Sequence, residues 1–165
     1  MKILVVSDTH RRNENLKKVI EKVKPFDMLI HLGDGEGVET QIREWTGPDC
    51  VIHMILGNND FFSDLPRELE VPIGKHRALL THGHYYNVSL DVGELAKEAQ
   101  SRHCDIAMFG HTHRPFREMK NGVLVLNPGS LSFPRQDGRK PSYVILELDR
   151  DGELHFTQNY LSSLF

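Results

Sequence analysis

Five times along this 165-residue chain an apolar run stops at residues that can hold a metal. Ile3-Leu4-Val5-Val6 meets Ser7-Asp8-Thr9-His10, Leu32 meets Gly33-Asp34, and Leu56 meets Gly57-Asn58. Leu79-Leu80 meets Thr81-His82-Gly83-His84, and Phe109 meets Gly110-His111-Thr112-His113. An uninterrupted run such as the first reads as a strand covered on both faces, which belongs to an α/β sheet. Such sheets place ligands beyond the carboxyl ends of their strands. The fold is therefore expected to gather these strand ends, with their oxygen and imidazole donors, into one metal site.

The segments between them alternate in kind. Leu16, Val19, Ile20 and Val23 mark one face of a helix that Pro25 ends. Asp27–Leu32 is a second buried strand, so the first two strands are expected to be parallel neighbours. Val38–Trp45 predicts a short helix, and Val51–Leu56 a third strand. After Asp60 the pattern turns to hairpins: Leu69–Ile73 with His76–Thr81, and Phe116–Lys120 with Val123–Leu126 around Asn121-Gly122. Pro141–Leu148 with Glu153–Tyr160 makes a third. A helix carrying Val92, Leu95, Ala96 and Ala99 precedes the strand Asp105–Phe109. Two stacked mixed β-sheets flanked by helices reconcile the two halves, as one α/β domain over residues 1–165.

Asp8, His10, Asp34, Asn58, His82, His111 and His113 form a donor set without thiolate. It suits manganese, iron, zinc, cobalt or nickel better than calcium or a structural zinc. Seven donors are too many for one tetrahedral ion with an open position; they suit two ions sharing a carboxylate. Two ions roughly 3.5–4 Å apart can hold a hydroxide between them and clamp both oxygens of a phosphoryl displacement. Alternate residues of an extended stretch share a side, so Asp8 with His10, and His111 with His113, are each expected to converge. Glycines beside Asp34, Asn58, His82 and His111 leave room for loops to crowd around the ions.

The ordered set Asp8-x-His10, Gly33-Asp34, Gly57-Asn58, His82-Gly83 and Gly110-His111-x-His113 resembles the calcineurin-like metallophosphoesterase superfamily. The short length and Asn127-Pro128-Gly129-Ser130 are similar to its small bacterial and archaeal phosphodiesterases of the YfcE/YsnB type. The resemblance implies the stacked αββα fold and two divalent ions, manganese first, with zinc, nickel, cobalt or iron as alternatives. It implies that Asp8, His10 and His113 hold one ion, that Asn58, His82 and His111 hold the other, and that Asp34 bridges them. Many relatives carry a histidine after the asparagine ligand, where this chain has Asn59. An amide can hydrogen-bond a phosphate oxygen but is a poor proton donor, so His84 becomes the candidate acid for the leaving group. The implied activity is hydrolysis of phosphoric esters, diesters before monoesters, on a small phosphodiester or nucleotide-like substrate. The alternative is a non-catalytic scaffold like the retromer subunit of the same fold, whose sequence mark would be loss of the ligands.

The remaining residues read more quietly. His31 and His53 are expected to be satisfied sheet residues, and His76, His103 and His155 surface residues. Asp60 is a candidate to orient a ligand or to cap a turn, and Arg135 to contact phosphate or to sit in solvent. A formal net charge of −3 gives no basic field to draw nucleic acid or an anionic membrane. Cys50 and Cys104 form no Cys-x-x-Cys pair and read as free buried thiols. With no apolar stretch of membrane-spanning length, the expected location is the cytoplasm; the oligomeric state stays open.

Overall fold

The computed structural model describes residues 1–162; the last three residues of the expected 1–165 domain lie outside them. Among the described residues ten strands form two five-stranded sheets. The first has the order β10-β9-β1-β2-β3, built from β1 (Lys2–Val6), β2 (Met28–His31), β3 (Val51–Met54), β9 (Ser142–Leu148) and β10 (Leu154–Tyr160). Here β1, β2 and β3 run parallel, while β9 pairs antiparallel with both β1 and β10. The second has the order β4-β5-β6-β8-β7, from β4 (Glu68–Ile73), β5 (His76–Thr81), β6 (Ile106–Met108), β7 (Pro115–Lys120) and β8 (Val123–Pro128). Its centre, β5-β6-β8, is parallel, and hairpin partners close both edges.

Side-chain alternation explains the layers. Ile3 and Val5 of β1 face the second sheet and join Ile30, Leu80, Met108 and Leu126 in a core between the sheets. Leu4 and Val6 face the other way, onto α1 (Glu14–Val23) and α2 (Glu39–Thr46). On the far side Leu79, Ala107 and Val125 pack against Leu95, Ala96 and Ala99 of α3 (Gly93–Ser101). Each central strand is apolar on both faces because each lies between two apolar layers. The expected αββα sandwich is the fold observed.

Local signals mark the element ends. Asn121 and Gly122 both have positive φ (52° and 75°), as the Asn-Gly hairpin signal demands. Several expected strands are shorter than their apolar runs. β3 stops at Met54 because the Leu56 N–H turns away to the Pro66 carbonyl, and β6 covers only Ile106–Met108. Among the described residues no helix is long and apolar enough to cross a membrane.

Candidate metal centre

All seven predicted donors follow the carboxyl ends of parallel strands: Asp8 and His10 after β1, Asp34 after β2, Asn58 after β3, His82 after β5, His111 and His113 after β6. The two sheets thus share the site. The means of convergence differs from the extended geometry expected for the Asp-x-His and His-x-His pairs. Asp8, His10, Asp34, His111 and His113 all have positive φ, between 46° and 70°. Asp and His visit this left-handed region more readily than most residues do, and each turn folds its donor back over the strand end. Hydrogen bonds hold the turns: the Asp8 N–H donates to the Gly33 carbonyl at 3.0 Å and the His10 N–H to the Asp34 carbonyl at 2.8 Å.

The glycines give the approach its closeness. A Cβ on Gly33 would stand 2.7 Å from His82 Nδ1, and one on Gly110 2.6 Å from Asp8 Oδ2. Neither clearance admits a side chain.

Each donor is aimed by a second contact. Asp8 Oδ2 accepts from the Ser7 hydroxyl at 2.5 Å and the His111 N–H at 3.0 Å, leaving buried Oδ1 with no partner. His82 donates from Nδ1 to the Leu32 carbonyl at 2.7 Å, leaving buried Nε2 with none. His113 donates from Nδ1 to the Phe133 carbonyl at 2.8 Å, and Nδ1 of His10 meets Glu36 at 3.1 Å. These bonds turn Nε2 of three imidazoles, with its lone pair, toward the centre. Buried unpaired donors and acceptors are costly, and a cation is the partner that lone pairs and carboxylates share.

Spacing agrees with that reading. Donors about 2.1 Å from an ion stand roughly 3.0–3.4 Å from one another. Nε2 of His113 lies 3.2 Å from Asp8 Oδ1 and 3.2 Å from Nε2 of His10, which lies 3.6 Å from Asp8 Oδ1. A second grouping joins Asp34 Oδ2, His82 Nε2 at 3.2 Å from it, and Asp8 Oδ1 at 3.8 Å from His82. Asp34 Oδ2 also lies 3.7 Å from His10 Nε2, so the two carboxylates stand between the groupings. Asn58 and His111 meet each other at 3.2 Å beside the second one, with the His111 ring 5.2 Å from that of His82.

Without an ion, the carboxylates favour protons on the imidazoles. Burial opposes charge on His82, but the carboxylates of Asp34 and Asp8 outweigh it and hold its pKa up at about 9. The neighbouring Asp8 carboxylate raises His10 as well. Burial alone would raise Asp34, yet the contact with His82 draws it down to about 2.

The other candidates fall around this centre. Asn59 turns onto Asp34, giving its backbone N–H to Oδ1 (2.8 Å) and its amide to Oδ2 (3.0 Å). His84 begins a short 3-10 turn, His84–Tyr86, with its ring 5.5 Å from His82 and 6.1 Å from His111. Asp60 accepts from the N–H groups of Asp34, Gly57 and Glu36, so it joins the loops after β2 and β3 and holds the Asp34 backbone in place. His31 bonds Thr9 Oγ1 and the Gly33 N–H, as a satisfied buried residue. Sequence reasoning missed Glu36, which could have been suspected as an acid two residues after a ligand. It also missed the carbonyls of Leu32 and Phe133, which carry no residue signature.

The comparisons follow the same outline. Residues 1–151 match the family model described as the calcineurin-like phosphoesterase superfamily domain. The chain is 34% identical over 152 residues to YsnB of Bacillus subtilis, named a probable metallophosphoesterase, covering 92% of this chain and 86% of the relative. It is 31% identical over 145 residues to phosphodiesterase MJ0936 of Methanocaldococcus jannaschii, covering 78% and 83%. A crystal structure of a conserved Streptococcus pneumoniae protein, described as a predicted phosphoesterase, superposes with a TM-score of 0.77 at 28% identity, covering 97% of both chains.

Proposed function

The chain belongs to the calcineurin-like phosphoesterase superfamily, and from that premise we propose that it is a phosphodiesterase served by two divalent ions, manganese before zinc, nickel, cobalt or iron. The observation that carries the two-ion reading is that the donors fall into two groupings that share the buried, unpartnered Asp8 Oδ1, with the equally unpartnered Nε2 of His82 in the second. When bound, such ions activate a water for attack on phosphorus and offset the charge that builds there. Asp8, His10 and His113 would hold one ion; Asn58, His82 and His111 would hold the other, with Asp34 between them.

The chain's own groups do the rest. Asn59 keeps the Asp34 carboxylate in place with one amide hydrogen and has a second for a phosphate oxygen. His84, beside His82 and His111, is the group we assign to protonate the leaving oxygen. The name of the M. jannaschii relative supports diesters over monoesters, and the substrate we propose is a small, nucleotide-like phosphodiester. Two buried free thiols, Cys50 and Cys104, fit a cytoplasmic setting.

The test strips the protein of metal and compares bis-p-nitrophenyl phosphate with p-nitrophenyl phosphate as manganese, zinc, nickel, cobalt and magnesium are added one at a time. The expected result is metal-restored turnover favouring the diester, lost in Asp34→Asn because both ions are unsettled. Two ions bound with no turnover of either ester would favour a scaffold. Failure to bind metal would overturn the reading.

A further inference from the structure

Beside His10 and His113 opens a cleft of about 700 Å³ whose other lining residues are Arg114, Phe133, Pro134, Arg135 and Arg139. Three exposed arginines line one cleft of a chain whose formal net charge is −3. No carboxylate lines it. Among the described residues none of the three arginines forms an ion pair, although Asp91 and Glu118 line the adjoining hollow with Arg114 and Arg135. Asp137 lies on the same loop, exposed, and does not line the cleft.

The backbone that presents these arginines is tied to the metal centre. The Arg135 N–H donates to the His113 carbonyl at 3.0 Å, and the Arg139 N–H closes a turn onto Gln136 at 2.9 Å. Ser130 Oγ donates to the Asp8 carbonyl at 2.8 Å and accepts from the Phe133 N–H at 2.8 Å. One loop therefore contacts both Asp8 and His113 and carries Arg135 and Arg139 beside them.

We infer that this cleft binds a second phosphate, so that the substrate is a phosphodiester carrying a further phosphate group on one of its arms. The inference rests on the phosphodiesterase reading above. A plain diester is a monoanion whose single charge is taken up at the metal centre, and it leaves the three arginines unmatched. A neighbouring phosphate brings up to two charges and three acceptor oxygens, which guanidinium forks grip in pairs.

The experiment uses the metal-loaded full chain and two chromogenic esters, thymidine 5′-(p-nitrophenyl phosphate) with and without a 3′-phosphate. Turnover of the 3′-phosphorylated ester is expected to exceed that of the plain one by at least about tenfold in kcat/KM. In Arg135→Ala/Arg139→Ala the ratio falls toward one, and Arg135→Lys/Arg139→Lys retains part of it. Because the result is a ratio, any loss of metal or stability cancels. Calorimetry of thymidine 3′,5′-bisphosphate against thymidine 5′-monophosphate gives the same answer without turnover, with tighter binding of the bisphosphate expected only in the protein with its arginines. Equal binding, or a preference that survives the alanine variant, overturns the inference. Failure of both esters and of bis-p-nitrophenyl phosphate, with the bisphosphate still bound through the arginines, would overturn the hydrolase reading and leave the phosphate site standing. A short oligonucleotide binding more tightly still, with steep salt dependence, would identify a nucleic-acid end as the source of the second phosphate; binding no tighter than the bisphosphate would identify a small molecule.

Discussion

The carboxylates of Asp8 and Asp34 favour a proton on His82 in the metal-free protein and push His10 the same way, and this has a measurable sign. His82 is held at about 9 when folded against about 6.5 for a free imidazole. Its contribution to stability is therefore complete below the unfolded value and lost as pH rises through about 9. A metal accepts only the neutral ring, so the same proton must leave when an ion binds. Calorimetric metal titrations at pH 8, run in two buffers of different ionisation heat, are expected to report release of at least about one proton per chain. Identical heats in the two buffers would contradict it. Legibility at this scale was uneven. The convergence of the seven residues could be read because aspartate, asparagine and histidine at strand ends have few other reasons to recur. Glu36 looked like any loop acid, and the carbonyls that orient His82 and His113 belong to Leu32 and Phe133, whose side chains say nothing about them.

Among the elements, the turns after the parallel strands decide the geometry, and their glycines are the sensitive points. Gly110 has no positive φ, so its role is clearance alone: a Cβ would press on Ser7 Oγ and on Asp8 Oδ2 at 2.6 Å. Gly110→Ala is expected to weaken metal retention by roughly 10–100-fold through the displaced Asp8 carboxylate, and to cost about 1–3 kcal/mol of stability. Competition with a chelator and denaturant titration would check the two effects separately; unchanged metal retention would show that the carboxylate has room to move. The hairpins were readable because Asn-Gly and alternating side chains are local signals. The left-handed turns at Asp8, His10, His111 and His113 were not. Nothing in those four residues separates an extended donor pair from a folded-back one, and the choice is made by partners such as the Gly33 and Asp34 carbonyls, distant in sequence.

For the molecule as a whole, the layer between the sheets is the shared core. Leu80, fully buried within it, packs in the layer that also holds Ile3, Ile30 and Met108. Leu80→Ala is expected to cost about 2–5 kcal/mol, seen as a lower denaturant midpoint in a single transition, because the two sheets cannot separate independently. Two successive transitions would mean they can. The stacked architecture was readable from the count of strands and hairpins, but the strand order was not, since long-range pairing leaves no mark in periodicity. That order, with β1 between β2 and β9, has a consequence in time. As the chain leaves a ribosome, the strand that leads to Asp8 emerges before its partners β2 and β9 and waits with one flank open until residues 142–148 are made. His113 also emerges long after Asp8. An ion held there would therefore arrive late, into walls raised by strands far apart in the order of synthesis, and would not be the seed from which the fold grows.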